Sequence, residues 1–219
     1  MIVSESHRFV FFHVPKTGGT SITKLIVPYS VRKPEQALAV GDFGWHLPFH
    51  FGGMHANVGA TWHHYGKPEW WDYHWFGFVR NPFDLVVSAW RMNIPYYAAP
   101  NQVQHRRFEQ ANVPVPIENL SLSDFLKYEL GHQVFPVIRK TQSEALLTEA
   151  PRELDFIGRF ESLAEDWEKV AKVIGVSGGI PHENRSQRDP DYRKYYDRET
   201  RGLVEEFYRE DLENFDYAF

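Results

Sequence analysis

One stretch near the start of the chain restricts its fold more than any other, because a strand there runs directly into a glycine-containing turn. Residues 8–14 read Arg-Phe-Val-Phe-Phe-His-Val, an apolar run typical of a buried strand. Residues 15–19 read Pro-Lys-Thr-Gly-Gly, and a helix is predicted from Ser21 to about Val27, where Pro28 closes it. Strand, turn and helix in this order predict an α/β unit with the turn at the carboxyl end of the strand.

This turn has the composition of an anion-binding loop. Gly18 and Gly19 allow close backbone approach, and the N–H groups at the start of the following helix favour negative charge. Lys16 adds a mobile positive charge, and hydroxyl donors come from Thr17, Thr20 and Ser21. The Walker pattern is absent, because the lysine precedes the glycines and no Gly-Lys-Ser/Thr follows. The motif alone leaves open a tight turn that binds no ligand.

A second junction of this kind follows the apolar run at residues 75–80. Asn81 and Pro82 are suited to the cap and the first position of a helix, which we predict to end before Pro95. If the two strands are neighbours, Arg80 and Ser88 lie beside the first turn. There a guanidinium fork and a hydroxyl can bind a second anionic group. The alternatives are a buried salt bridge for Arg80 and an ordinary helix position for Ser88.

The rest of the chain continues the alternation of strands and helices. A third core strand is predicted at residues 154–160, and helices at 122–130, 162–174 and 197–214, with Gly175 ending the second of these. Residues 30–74 are predicted to be irregular, with short elements and long loops, and residues 93–118 show little periodicity and are predicted to form a long excursion. This order predicts an α/β fold in which helices flank a central parallel sheet, within a single domain of residues 1–219.

Composition excludes several classes of protein. The formal net charge of −5 argues against a nucleic-acid-binding protein held by a basic surface. The absence of cysteine excludes a disulfide framework and a thiol site. No signal peptide and no apolar run of membrane-spanning length is recognisable, which predicts a soluble cytoplasmic protein. Oligomeric state is not determined by the sequence.

Several segments resemble one enzyme family in the order in which that family carries them. Residues 12–21 resemble the 5′-phosphosulfate loop of the sulfotransferases that use 3′-phosphoadenosine 5′-phosphosulfate (PAPS). Residues 78–82, with Ser88 following, resemble their 3′-phosphate-binding segment. Residues 155–161, 181–186 and 195–219 also resemble the carbohydrate-type branch related to heparan 2-O-sulfotransferase, especially its bacterial members. The resemblance therefore extends over nearly the whole chain, although no family segment matches residues 30–54.

The resemblance implies a P-loop-like fold and transfer of a sulfuryl group from PAPS to a hydroxyl, with adenosine 3′,5′-bisphosphate as product. The acceptor would be a carbohydrate, transfer would proceed by in-line displacement, and no metal would be required. Lys16 would stabilise the leaving phosphate, and residues 17–21 (Thr17, Gly18, Gly19, Thr20 and Ser21) would bind the 5′-phosphate. Arg80 and Ser88 would bind the 3′-phosphate, and Asn184, Arg185 and Ser186 would close over the nucleotide. A solvated turn is the alternative for the last group.

A histidine between the two cofactor segments would act as the general base. Histidine titrates near neutral pH and suits this role. His55 aligns with the family's histidine, and His50 and His46 are the next candidates, while His63, His64 and His74 lie nearby in the sequence. A zinc site is the alternative for this histidine cluster, but no HExxH motif or paired Cys/His spacing is present.

Two other functions compete with sulfuryl transfer. A phosphotransferase of the P-loop kinase type would need the missing Gly-Lys-Ser/Thr and a carboxylate for magnesium. A non-catalytic module that binds a nucleotide or a glycan would use the same loop without turnover. The acceptor, the position sulfated and the roles of residues 30–54 and 93–118 are not determined by the sequence.

Overall fold

The computed structural model describes residues 1–31, 57–98, 116, 119–132, 140–180 and 188–219. Its strands are β1 (Ile2–Ser4), β2 (Phe9–Phe12), β3 (His74–Val79) and β4 (Phe156–Arg159). They form one sheet in the order β1-β2-β3-β4, with β1 antiparallel to β2 and the remaining pairs parallel. The α/β fold class is therefore confirmed. The edge strand β1 was not predicted, because the polar residues that follow its short apolar run hide it.

The α-helices of the described ranges include those predicted from the sequence, but some begin or end at other residues than predicted. They are α1 (Gly19–Ile26), α2 (Val58–Tyr65), α3 (Pro82–Ala98), α4 (Leu122–His132), α5 (Gln142–Leu146), α6 (Leu163–Ile174), α7 (Arg198–Phe207) and α8 (Arg209–Asn214). None of them combines the length and the apolar character required to cross a membrane. The predicted caps of α3 and α6 are confirmed: Phe83 N–H donates to Asn81 Oδ1 at 3.0 Å, and Gly175 ends α6 at a φ of 70°.

Two helices had no predicted bounds, and two predicted helix bounds are wrong, each for a local reason. Helix α2 is a short element within residues 30–74, and it starts where the Asn57 side chain accepts the N–H of Ala60 at 2.7 Å. Helix α5 is too short to show periodicity. Helix α3 continues past Pro95 to Ala98, since a proline removes one backbone hydrogen bond without always ending a helix. The last helix is divided at Tyr208, whose φ of −100° and ψ of 23° depart from helical values.

The chain divides into two compact units, and the first contains the sheet. It comprises Met1–Arg80 and Gln142–Glu183. On one face of the sheet, aromatic residues of β2 and β3 pack against α1 and α6. The core on this face includes Phe9, Phe11, Phe76, Phe78, Ile22, Ile26, Trp167, Val170 and Ile174. On the opposite face the ring of Trp75 lies 5.4 Å from that of Phe12 and 4.4 Å from that of Trp62 in α2. Both faces are thus covered, which explains why β2 and β3 are apolar runs rather than alternating ones.

The second unit is helical and comprises Asn81–Thr141 and Asn184–Phe219. Its core joins α3, α4 and α7 through Phe83, Val86, Trp90, Phe125, Leu126 and Val204. The ion pair between Arg188 and Asp84, both largely buried, ties the segment before α7 to the first turn of α3. The prediction of a single domain stays a prediction.

Candidate functional site

The turn between β2 and α1 contains two residues in left-handed backbone conformations. Gly18, the N-cap of α1, has a φ of 84°, and Lys16 has a φ of 64°. Glycine adopts this conformation without penalty, whereas a lysine in it carries strain of about 1–3 kcal/mol. Strain of this kind persists only where surrounding contacts impose it, and such residues cluster at functional sites. The backbone therefore marks Lys16 as a candidate functional residue, independently of its charge.

Thr17 in the turn and Gly19 at the start of α1 both make packing or hydrogen-bond contacts that the sequence did not reveal. The Thr17 side chain is buried, and its hydroxyl donates to the carbonyl of Val14 at 2.9 Å. Because that proton is engaged, any contact of Thr17 with an anion would use its backbone N–H. A Cβ atom added at Gly19 would lie 2.2 Å from the ring of His13, which is itself buried and stacked on Phe11. Gly19 is therefore required by packing.

The start of α1 has the properties of an anion-binding helix terminus. No side chain caps it, and its first turn contains no acidic residue. Thr20 is exposed and Ser21 is buried, with the Ser21 N–H donating to the Gly18 carbonyl at 3.0 Å. The first turn of a helix that lacks side-chain acceptors presents partial positive charge to its surroundings.

Arg80 joins the second junction to this turn. Strands β2 and β3 are parallel neighbours, with Phe12 opposite Gly77, so their carboxyl ends lie at the same edge of the sheet. The side chain of Arg80 is 5% exposed, its Nη1 donates to the carbonyl of Lys16 at 2.9 Å, and its Cζ lies 3.8 Å from the ring centre of Phe160. The predicted proximity of Arg80 to the first turn is therefore confirmed. A guanidinium carries five N–H donors in a planar fork, and one of them holds the loop through the Lys16 carbonyl.

Two buried side chains that the sequence did not point to hold the backbone at this edge. Gln142 bonds both backbone groups of Arg80: its Oε1 accepts the Arg80 N–H at 2.7 Å, and its Nε2 donates to the Arg80 carbonyl at 2.8 Å. Asp166 holds one backbone group at the end of β4, where its Oδ2 accepts the Arg159 N–H at 2.8 Å. No local motif marks either residue, because each acts on backbone that a distant segment supplies.

The Asp166 carboxylate has an electrostatic signature that follows from these contacts. It also accepts the Ser162 hydroxyl at 2.8 Å and the Lys169 ammonium at 2.6 Å. Burial alone would raise the pKa of Asp166, but the bonds from Lys169, Arg159 and Ser162 together lower that pKa below its ordinary value. The carboxylate is thus an ionised anchor for the end of β4.

The histidine candidates are only partly described. His46, His50 and His55 lie outside the described residues, so the choice of base stays a prediction. His63 and His64 are exposed on α2. His74 is the first residue of β3 and precedes Arg80 by six residues, so about 20 Å of extended chain separates it from the edge where Arg80 lies. Burial lowers the pKa of His74, with Asp155 opposing and Arg152 adding to that shift. Its position does not suit proton transfer beside Lys16.

The roles of the remaining predicted site residues stay predictions. Ser88 is buried on α3 in the second unit, and its contact with a phosphate stays a prediction. Asn184, Arg185 and Ser186 lie outside the described residues. Within the described ranges, no group of three or more His, Asp or Glu side chains is placed to hold a metal ion.

Comparison with known proteins gives a consistent result. A model of the sulfotransferase family matches residues 1–218. Carbohydrate sulfotransferase 11 of Rattus norvegicus is 26% identical over 202 residues, which cover 81% of this chain and 53% of that protein, and the Mus musculus protein of the same name gives the same values. The chain thus spans about half the length of these curated relatives. No solved structure matches it.

Proposed function

Because the chain belongs to the sulfotransferase family, we propose that it transfers a sulfuryl group from PAPS to a hydroxyl of a carbohydrate. The observation that carries this proposal is the bond between the Arg80 guanidinium and the Lys16 carbonyl. It joins the two segments that resemble the 5′- and 3′-phosphate-binding elements of the family. The carbohydrate acceptor is supported by the two relatives, which are named as carbohydrate sulfotransferases.

The residues present suit a nucleotide that carries two anionic groups. The uncapped start of α1 and the glycine turn suit one phosphate, and the buried Arg80 supplies a planar fork that suits another. Ser88 would assist Arg80 at the 3′-phosphate, and Asn184, Arg185 and Ser186 would cover the nucleotide. When bound, PAPS supplies an activated sulfuryl group whose departure leaves adenosine 3′,5′-bisphosphate.

Lys16 has the central catalytic role in this proposal. Negative charge develops on the oxygen that joins the phosphate to the departing sulfuryl group, and a preorganised ammonium there stabilises the transition state. The left-handed φ of Lys16 and the Arg80 bond to its carbonyl fix the backbone from which the ammonium extends. Preorganisation of this kind avoids a cost of reorganisation during the reaction. Backbone N–H groups of residues 17–21 would share the charge.

The acceptor hydroxyl must lose a proton, and we assign that role to His55. A histidine with an ordinary pKa near 6.5 is partly neutral at physiological pH and can accept the proton directly. We expect the turnover of the parent to fall as the pH drops through the pKa of the base, and His55→Ala to remove that limb of the pH–rate profile. An unchanged profile would transfer the role to His50 or His46.

Product formation decides between this function and simple binding. The protein should be incubated with PAPS labelled in the sulfuryl group and with a panel of neutral and acidic glycans, with and without EDTA. Labelled glycan that forms equally in both conditions would support metal-independent sulfuryl transfer. Tight binding of adenosine 3′,5′-bisphosphate without product on any acceptor would favour a nucleotide-binding module. Turnover with ATP that EDTA abolishes would indicate a phosphotransferase.

A further inference from the structure

The most informative contact outside the predicted site residues is the pair of hydrogen bonds between Gln142 and the backbone of Arg80. Gln142 is the first residue of α5, and its side chain is 1% exposed. Its amide accepts the N–H of Arg80 and donates to the carbonyl of the same residue, at 2.7 Å and 2.8 Å. The amides of Asn and Gln present a donor and an acceptor side by side on one planar group at any pH, whereas a carboxyl does so only when it is protonated. An apolar or an ionised acidic substitute therefore breaks at least one of the two bonds.

The position of Arg80 explains why such a partner is needed. Strand β3 ends at Val79, whose partner in β4 is Arg159, so Arg80 lies one residue beyond the paired register. A buried backbone N–H and carbonyl at this point would otherwise lack the partners that a neighbouring strand supplies. The Gln142 amide takes the place of that strand. It thereby extends the ordered part of β3 by one residue, and that residue is the one that carries the guanidinium.

The guanidinium itself is held by separate contacts. Its Nη1 bonds the Lys16 carbonyl, and its plane lies over Phe160. A side chain with several rotatable bonds reaches two such partners at once only if its backbone origin is fixed. Movement of the Arg80 backbone would therefore displace the guanidinium from both partners.

We infer that Gln142 is a positioning residue: it orients Arg80 and thereby sets the preference of the site for a nucleotide phosphorylated at the 3′ position. This inference rests on the proposed function, because that function assigns the 3′-phosphate to Arg80. Gln142 itself contacts backbone and has no role in the sulfuryl transfer step.

The test measures a ratio that general destabilisation leaves unchanged. Dissociation constants for adenosine 3′,5′-bisphosphate and for 5′-AMP are determined by calorimetry for the folded parent and for Gln142→Met, which keeps the side-chain length and removes both bonds.

The matched control is Asp155→Leu. Asp155 accepts the N–H of Trp75 at 2.7 Å, so it anchors the same strand at its opposite end. We expect the preference for the bisphosphate to fall about tenfold in Gln142→Met, which is the size of effect that the loss of one hydrogen bond to a charged group has on binding. The control should keep the parent's ratio.

Each outcome has a distinct meaning. A parent that binds both nucleotides equally would contradict the proposed function itself. A parent that prefers the bisphosphate, together with a Gln142→Met variant that keeps this preference, would overturn the positioning role. Equal losses of preference in Gln142→Met and Asp155→Leu would also overturn it, because the effect would then follow from loosening of β3 as a whole.

A second variant covers the case in which Gln142→Met does not fold. Gln142→Glu keeps the acceptor for the Arg80 N–H, and its carboxyl can donate to the Arg80 carbonyl only when it is protonated. Burial at position 142 should raise the pKa of this carboxyl above its ordinary value of about 4.3. The nucleotide preference of Gln142→Glu, divided by that of the parent at the same pH, should therefore rise as the pH is lowered from 8 to 5. A quotient of one at every pH would refute the inference.

Discussion

Substitution of Gly19 by alanine tests whether the glycine pair of the turn serves packing as well as backbone freedom. The added Cβ would lie 2.2 Å from Cδ2 and Nε2 of His13, whereas ordinary contact begins at 3.4 Å. The His13 ring is buried and stacked on Phe11, with ring centres 5.8 Å apart, so it cannot simply turn away. The backbone of α1 must therefore shift.

The expected cost follows from two opposing effects. Overpacking of this kind costs about 1–3 kcal/mol, and a gap more than 1 Å too small places Gly19→Ala near the upper end of that range. Replacement of a helical glycine by alanine raises the free energy of unfolding by about 1 kcal/mol, because alanine favours the helix more than glycine does. We therefore expect a net loss of about 2 kcal/mol in the free energy of unfolding.

Urea denaturation measures this loss, and Gly179→Ala provides the control. Gly179 lies in the same compact unit, so both variants report on the same structure. A Cβ at Gly179 would meet no atom within 4 Å, and its φ is not in the left-handed region. That variant should match or slightly exceed the parent in stability. Because the N–H groups of α1 move in Gly19→Ala, its affinity for adenosine 3′,5′-bisphosphate should also fall. Equal stabilities for the two variants would refute the packing argument.

Three further predictions follow from the same edge of the sheet. Lys16→Ala should abolish product formation while circular dichroism shows a folded protein; near-normal turnover would remove Lys16 from the mechanism. Arg80→Ala should weaken binding of adenosine 3′,5′-bisphosphate by about tenfold to a hundredfold, and binding of 5′-AMP less, since Arg80 also holds the Lys16 carbonyl. Equal losses for both nucleotides would contradict the assignment of Arg80. Because folding lowers the pKa of Asp166 below its ordinary value of 3.8, the ionised carboxylate stabilises the folded protein at pH values above 3.8. This contribution to the free energy of unfolding is lost as the pH falls below 3.8. The difference in unfolding free energy between the parent and Asp166→Asn should therefore narrow from pH 5 to pH 3, and a constant difference would exclude an ionised Asp166 as the anchor.

Residues adjacent in the chain made much of this protein predictable. The apolar runs of β2 and β3, the glycines after β2 and the Asn-Pro pair that opens α3 are each encoded within a few positions. These patterns predicted that Arg80 would lie near the turn that contains Lys16 only if the two strands were neighbours, and the pairing of β2 with β3 in the structure met that condition. Short elements escaped prediction, since β1 and α5 span too few residues to show a period.

The tertiary structure decided how that edge is held in place. Gln142 reaches the backbone of a residue 62 positions earlier in the chain. The His13 ring occupies the space that a side chain at position 19 would need. Neither contact can be recognised from neighbouring residues in the sequence. A glutamine at the start of a short helix and a histidine after a strand can each have many different partners in a folded protein. Local sequence determines which backbone conformations are favourable, whereas the partners of a buried polar group depend on which distant segments the fold brings together.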